Sequence, residues 1–130
     1  MNAKTAALVF GVIFILVGAL GYFDNPVVGA AGSGAIFEVD AMHNYVHFGA
    51  GAVLIVAALI SMASMGLIVV GVVYGAVGVL GLVTIPQGGM LLGQFHMNAN
   101  DHYLHIALAV VLLAAGFLLP KGGAAKAPGT

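Results

Sequence analysis

AMHNYVHFGAGAVLIVAALIS, residues 41–61, opens with hydrogen-bonding and ligand-type side chains and continues as an uncharged apolar run. His43 and His47 stand four residues apart and therefore share one face of a helix. The stretch has the length of about 20 residues that crosses the hydrocarbon core of a bilayer. A second stretch repeats this design: in NANDHYLHIALAVVLLAAGFLL, residues 98–119, Asp101 and His105 take the two equivalent places at the head of the run.

Working outward, the whole chain of 130 residues is 62% hydrophobic and only 5% charged. A soluble domain carries roughly 25% charged residues, so this chain belongs to a membrane. Cysteine is absent, which excludes disulfides, thiolate metal sites and cysteine catalysis. The formal charge of −1 gives no basis for nucleic-acid binding. Twenty glycines suit helices that approach closely in lipid.

Two further apolar runs complete the set. Helices are expected over about Thr5–Phe23, Ala41–Ser61, Met65–Ile85 and Asn100–Leu119. The first is too long for a signal peptide and has no small-residue cleavage site directly after it. Val27 to Asp40 and Pro86 to Asp101 read as loops, and Ser61 to Gly66 as a tight turn joining antiparallel neighbours. Asp40 and Asn98 are expected N-caps, with Asp101 at the third helical position of a capping box. The residues after Pro120 read as a flexible tail over 121–130.

The chain also matches itself. Shifted by 60 residues, Gly11, Gly18, Gly21 and Pro26 meet Gly71, Gly78, Gly81 and Pro86; shifted by 58, Tyr45, His47 and Leu54 meet Tyr103, His105 and Leu112. The expected fold is therefore all-α: a single four-helix transmembrane domain over 1–120, built from two duplicated hairpins at about 5–61 and 65–119. Both copies cross in the same sense, about an axis along the membrane normal. Both termini fall on one side. All three lysines, Lys4, Lys121 and Lys126, flank them, so that side is expected to be cytoplasmic. Tyr22, Phe23, Phe37 and Phe95 then form an aromatic belt at the outer interface.

Ile36-Phe-Glu-Val39, His43-Asn44-x-x-His47 and Asn98-x-x-Asp101-x-x-Leu104-His105, standing before the second and fourth of four spans, resemble a bacterial membrane family, the domain-of-unknown-function family numbered 4383. The similarity covers roughly Gly11 to Gly116. It implies a four-helix protein of the bacterial plasma membrane with no assigned activity. His96 and His102 lie outside the motif.

Capping accounts for Asp40, Asn98 and Asn100, and in part for Asp101. The histidines ask for more. His47 lies seven residues beyond Asp40, roughly 10 Å into the helix at 1.5 Å per residue. At that depth a polar ring needs a partner within the bundle, for which Asn44, Tyr45, Tyr103, Glu38 or a loop carbonyl are candidates. His43, His47, Asp101 and His105 together would suit a transition metal. His47 and His105 alone would suit a haem or (bacterio)chlorophyll, with Gly49, Gly51, Gly75 and Gly78 making room. Met42, Met90 and Met97 are better read as packing than as soft ligands. Ser61, Ser64 and Tyr74 are placed toward the opposite side, too few for an ion path. No serine stands near the histidines to make a hydrolase. The leading expectation is a non-enzymatic accessory or assembly subunit of a larger membrane complex, with the lipid bilayer and other membrane subunits as partners and no small-molecule substrate. The alternative is a metal- or tetrapyrrole-binding membrane protein.

Overall fold

The structure is a computed structural model and describes residues 1–121; of the expected tail, 122–130 lie outside the described residues. In chain order the elements are α1 (Ala3–Leu20), β1 (Val28–Ala30), β2 (Phe37–Val39), α2 (Ala41–Leu59), α3 (Ala63–Thr84), β3 (Gly88–Leu91), β4 (Phe95–Asn98) and α4 (Ala99–Leu118). All four helices are long and apolar enough to cross a membrane, and the chain is a multi-pass membrane protein. Outward-facing Leu16, Val83 and Leu118 are 61%, 73% and 79% exposed, which is the surface that lipid covers.

Local chemistry sets the helix ends. Asn2 Oδ1 accepts from Thr5 N to start α1. Asp40 Oδ1 accepts from His43 N to start α2. Asn98 and Asp101 form a reciprocal capping box at the head of α4, leaving fewer backbone donors unpaired where the helix begins. The α2–α3 turn passes through Ser61 at φ 63°, and Met62 N donates to Ala57 O at 2.7 Å. That is the six-to-one closure of a Schellman motif with serine in the left-handed position usually held by glycine.

The four-helix expectation holds, with short strands where irregular loops were expected. β1 and β2 pair in parallel, Val28 opposite Phe37, and β3 and β4 form an antiparallel hairpin, Gly88 opposite Asn98. The helices also start or stop a residue or more from their expected bounds; α1 ends at Leu20, not Phe23. One side chain explains much of this. Asn25 Nδ2 lies within hydrogen-bond reach of the carbonyls of Leu20, Phe23 and Val28, and its Oδ1 accepts from Val27 N and Val28 N. The amide thus ties the last carbonyl of α1 to the connection that follows and bends the chain into β1.

α1 packs chiefly against α2, and α3 chiefly against α4. Glycine makes both contacts close. A Cβ on Gly51 would stand 2.6 Å from Gly11 O, and one on Gly78 would stand 2.9 Å from His102 O. Toward the loop end, Gly21 leaves room for the Asn44 side chain and Gly81 for the His102 ring. Phe14, Leu54, Leu67, Tyr74 and Leu112 fill the centre. At the end remote from the strands, Ala3 N donates to Pro120 O at 2.7 Å, joining the start of α1 to the end of α4.

Two glycines two residues apart offer a sharp comparison. Gly49 is exposed, and a Cβ there would meet nothing within 4 Å. Gly51→Ala should lower stability by about 1–3 kcal/mol through overpacking, whereas Gly49→Ala should be neutral or stabilise by up to about 1 kcal/mol through helix propensity. Thermal unfolding of the two variants in detergent checks the contrast.

Candidate functional site

Among the described residues, six polar or charged residues are buried in the bundle: His43, Asn44, His47, Asp101, His102 and His105. The Asp40 cap fixes where α2 begins and so aims His43 and His47 inward. The Asn98–Asp101 box does the same for His105 on α4. The result is a three-ring cluster. His43 and His47 stack at 5.0 Å with 13° between planes; His105 meets His43 edge-on at 5.5 Å and His47 at 6.1 Å. One ring nitrogen from each of the three lies within 4.8 Å of the others.

Hydrogen bonds set the available lone pairs. His43 Nδ1 lies 2.8 Å from His96 O. A carbonyl only accepts, so Nδ1–H is the donor and the lone pair of the neutral ring sits on Nε2. Nε2 is buried with no hydrogen-bond partner among the described residues, as is His105 Nδ1. His47 Nδ1 lies 3.1 Å from the Tyr74 hydroxyl. When Nδ1–H donates to that oxygen, His47 Nε2 keeps its lone pair too. A ring whose far N–H is fixed by a carbonyl or hydroxyl, with its other nitrogen turned into the bundle, is the usual arrangement of a metal-ligating histidine.

Tyr74 corrects the expectation that it sits toward the opposite side. It is 2% exposed and lies 5.0 Å from the His105 ring, 6.0 Å from His47 and 5.0 Å from Phe14, centroid to centroid. The signal for it was present: His47 lies 14 residues before Ser61 and Tyr74 lies 13 after it, so an antiparallel hairpin turning there sets the two at equal depth. Phe14 was also overlooked as a wall of the cluster, 6.1 Å from His47.

The other polar residues have separate duties. Asp101 Oδ2 accepts from Asn98 N at 2.8 Å, and the histidine trio forms without it; its side chain instead shares the wall of a cavity with His47 and His105. His102 Nε2–H donates to Ile85 O at 2.8 Å, holding the end of α3. His96 stays in the loop layer, its ring 3.3 Å from Glu38 Oε1 and its backbone amide on Asp40 Oδ2. Met42 and Met90 are 46% and 48% exposed and Met97 is fully buried.

A family model described as Domain of unknown function (DUF4383) matches residues 4–118. The chain belongs to that family. The match covers all four helices and every histidine of the cluster. No curated protein and no solved structure matches the chain.

Removing the tyrosine hydroxyl isolates its contribution. Tyr74→Phe should cost about 1–3 kcal/mol by leaving His47 Nδ1 without a partner in the interior, while Tyr103→Phe, on a residue 63% exposed, should have an effect near zero. Thermal unfolding of both variants in detergent reads the difference.

Proposed function

We propose that this protein is a transition-metal-binding integral membrane protein, with His43, His47 and His105 as ligands and a binding role without catalysis. The observation that carries the reading is that three buried imidazoles from two helices place one ring nitrogen each within 4.8 Å of the others; among the described residues, His43 Nε2 and His105 Nδ1 are buried without a hydrogen-bond partner. Zinc–nitrogen bonds of about 2.0–2.1 Å in a tetrahedral site ask for donor atoms roughly 3.4 Å apart, so small ring rotations would close the cluster. Asp101, the one buried carboxylate among the described residues, lines the same cavity as His47 and His105, where a bound cation would favour its ionised form.

A tetrapyrrole between His47 and His105 is less well supported. His43 lies 5.0 and 5.5 Å from those two rings, and Tyr74 lies 6.0 and 5.0 Å from them, so the space a macrocycle needs is taken. Gly51, Gly75 and Gly78 face neighbouring helices at close contact, and Gly49 faces outward. The accessory-subunit reading rests on small size and apolar composition, to which no geometric feature adds.

The same proposal includes duplication and orientation. Phe14 and Tyr74, 60 apart in sequence, and His47 and His105, 58 apart, meet at the centre of the bundle. Asn44 against Gly21 and His102 against Gly81 repeat one packing solution at those same offsets. This supports two copies of one hairpin. The Ala3–Pro120 hydrogen bond and the flanking lysines support both termini on the cytoplasmic face of a bacterial plasma membrane.

Cobalt(II) titration of the purified protein in detergent tests the metal reading, because a tetrahedral nitrogen site gives cobalt strong visible absorption. The expected result is one saturable ion per chain. His105→Ala should weaken it by more than the 10–100-fold typical of losing an outer-shell partner. No saturable uptake, or equal uptake by the variant with all three histidines replaced by alanine, would overturn it and return the accessory-subunit role to first place.

A further inference from the structure

A cavity of about 200 Å³ runs from the outer surface of α1 to the histidines. Its rim includes Ile13 and Leu20, 43% and 38% exposed, both within a membrane-spanning helix. The rim therefore opens toward lipid. Its floor includes Phe14, His47, Asp101 and His105, none more than 5% exposed. The opening follows from the packing: α1 holds to α2 and α4 to α3, while α1 and α4 scarcely touch. The other large hollows lack this combination. The groove beside Ala52, Val56 and Gly66 is lined by apolar residues alone.

From this cavity we infer that the protein binds a membrane-dissolved, uncharged single-ring phenol, the head-group class to which hydroquinones belong, with its hydroxyl directed at His47, Asp101 and His105. Size sets the first limit. A cavity of 150 Å³ holds benzene, so 200 Å³ takes one ring with small substituents and no fused system. Shape and surface set the second. Phe14 and Phe37 line the space, and aromatic walls favour a flat ring through offset or edge contacts. Polarity sets the third. A ligand arriving through lipid is best uncharged, and no lysine or arginine lines the cavity to pair with an anionic one. A hydroxyl suits what remains, because it can donate to an imidazole nitrogen or a carboxylate oxygen in an otherwise apolar site. The rest of the cavity would supply affinity by burying the ring. The site shares His47 and His105 with the proposed metal centre but rests on the cavity alone, so metal-free protein serves for its test.

The test uses EDTA-treated full-length protein in nanodiscs, with 4-fluorophenol as probe and 4-fluorotoluene as its hydroxyl-free counterpart. Fluorine NMR reads bound and free populations. The expected result is saturable binding of the phenol, about tenfold or more tighter than the toluene, as one buried hydrogen bond would give. Leu104→Trp and Val17→Phe, which fill the cavity from opposite walls, should each abolish it. Phenol uptake equal to that of either filled variant that folds, as judged by circular dichroism, would overturn the inference. Equal binding of phenol and toluene would overturn the hydroxyl recognition on which the ligand class depends. Cobalt titration of the same preparations separates the two proposals. Cobalt uptake without phenol binding sinks only the ligand, and phenol binding without cobalt uptake sinks only the metal.

Discussion

In a bilayer there is no water to take the place of a missing hydrogen bond, and each unsatisfied polar group costs several kcal/mol. This constraint governs the molecule. The six polar side chains buried among the described residues must find partners among very few other polar groups, and three of them, His43, Asp101 and His102, do so through backbone. His102 uses the carbonyl of Ile85, where α3 runs out. His43 uses the carbonyl of His96 in β4. The short strands exist to hold such carbonyls and amides in place, so the loop layer and the helix interior form one hydrogen-bonded unit. The same residue, His96, gives its amide to Asp40 and its carbonyl to His43. The cap of α2 and the orientation of the first histidine are thereby tied together.

Against that background five buried polar atoms among the described residues lack a partner, His43 Nε2, Asn44 Oδ1, Ser64 Oγ, His102 Nδ1 and His105 Nδ1, and two of the five belong to the histidine trio. The chain spends backbone, caps and a buried tyrosine to position three rings and then leaves a nitrogen on two of them unpaired among the described residues. Packing alone does not require this. Apolar side chains would fill the same space without loss. The geometry makes sense when something that accepts lone pairs, or donates a hydrogen bond, occupies the space between and beside them.

Much of this was legible in the sequence. The four apolar runs announced the spans, and Asp40, Asn98 and Asp101 announced their caps, because capping is local chemistry written within four residues. His43, His47 and His105 were legible for the same reason of helical spacing. What was not legible lay in long-range contact. Tyr74 sits in a run with no periodicity to distinguish its face, so only the hairpin register revealed that it points at His47. The strands around Phe37 and Met97 were hidden because each is only three or four residues long, too short for an alternating pattern to show. Asn25 organises the first connection, its amide within reach of three carbonyls and accepting from two backbone N–H groups, contacts that no local pattern announces. Asp101 sits beside the trio without joining it, because the cap already claims one of its oxygens.

The contact between Ala3 and Pro120 has a topological meaning. Chain ends and helix contacts are separable: α1 and α4 scarcely touch along their length, yet their ends meet, so the connectivity forms a cycle whose nick lies between α4 and α1. The same cycle could be cut at the Ser61 turn and sealed between residues 120 and 3 with a very short linker. The helices would keep their neighbours while the two hairpins exchanged places in the gene. Such a permuted chain would carry His105 ahead of His43 in sequence and still gather both rings at one point in space.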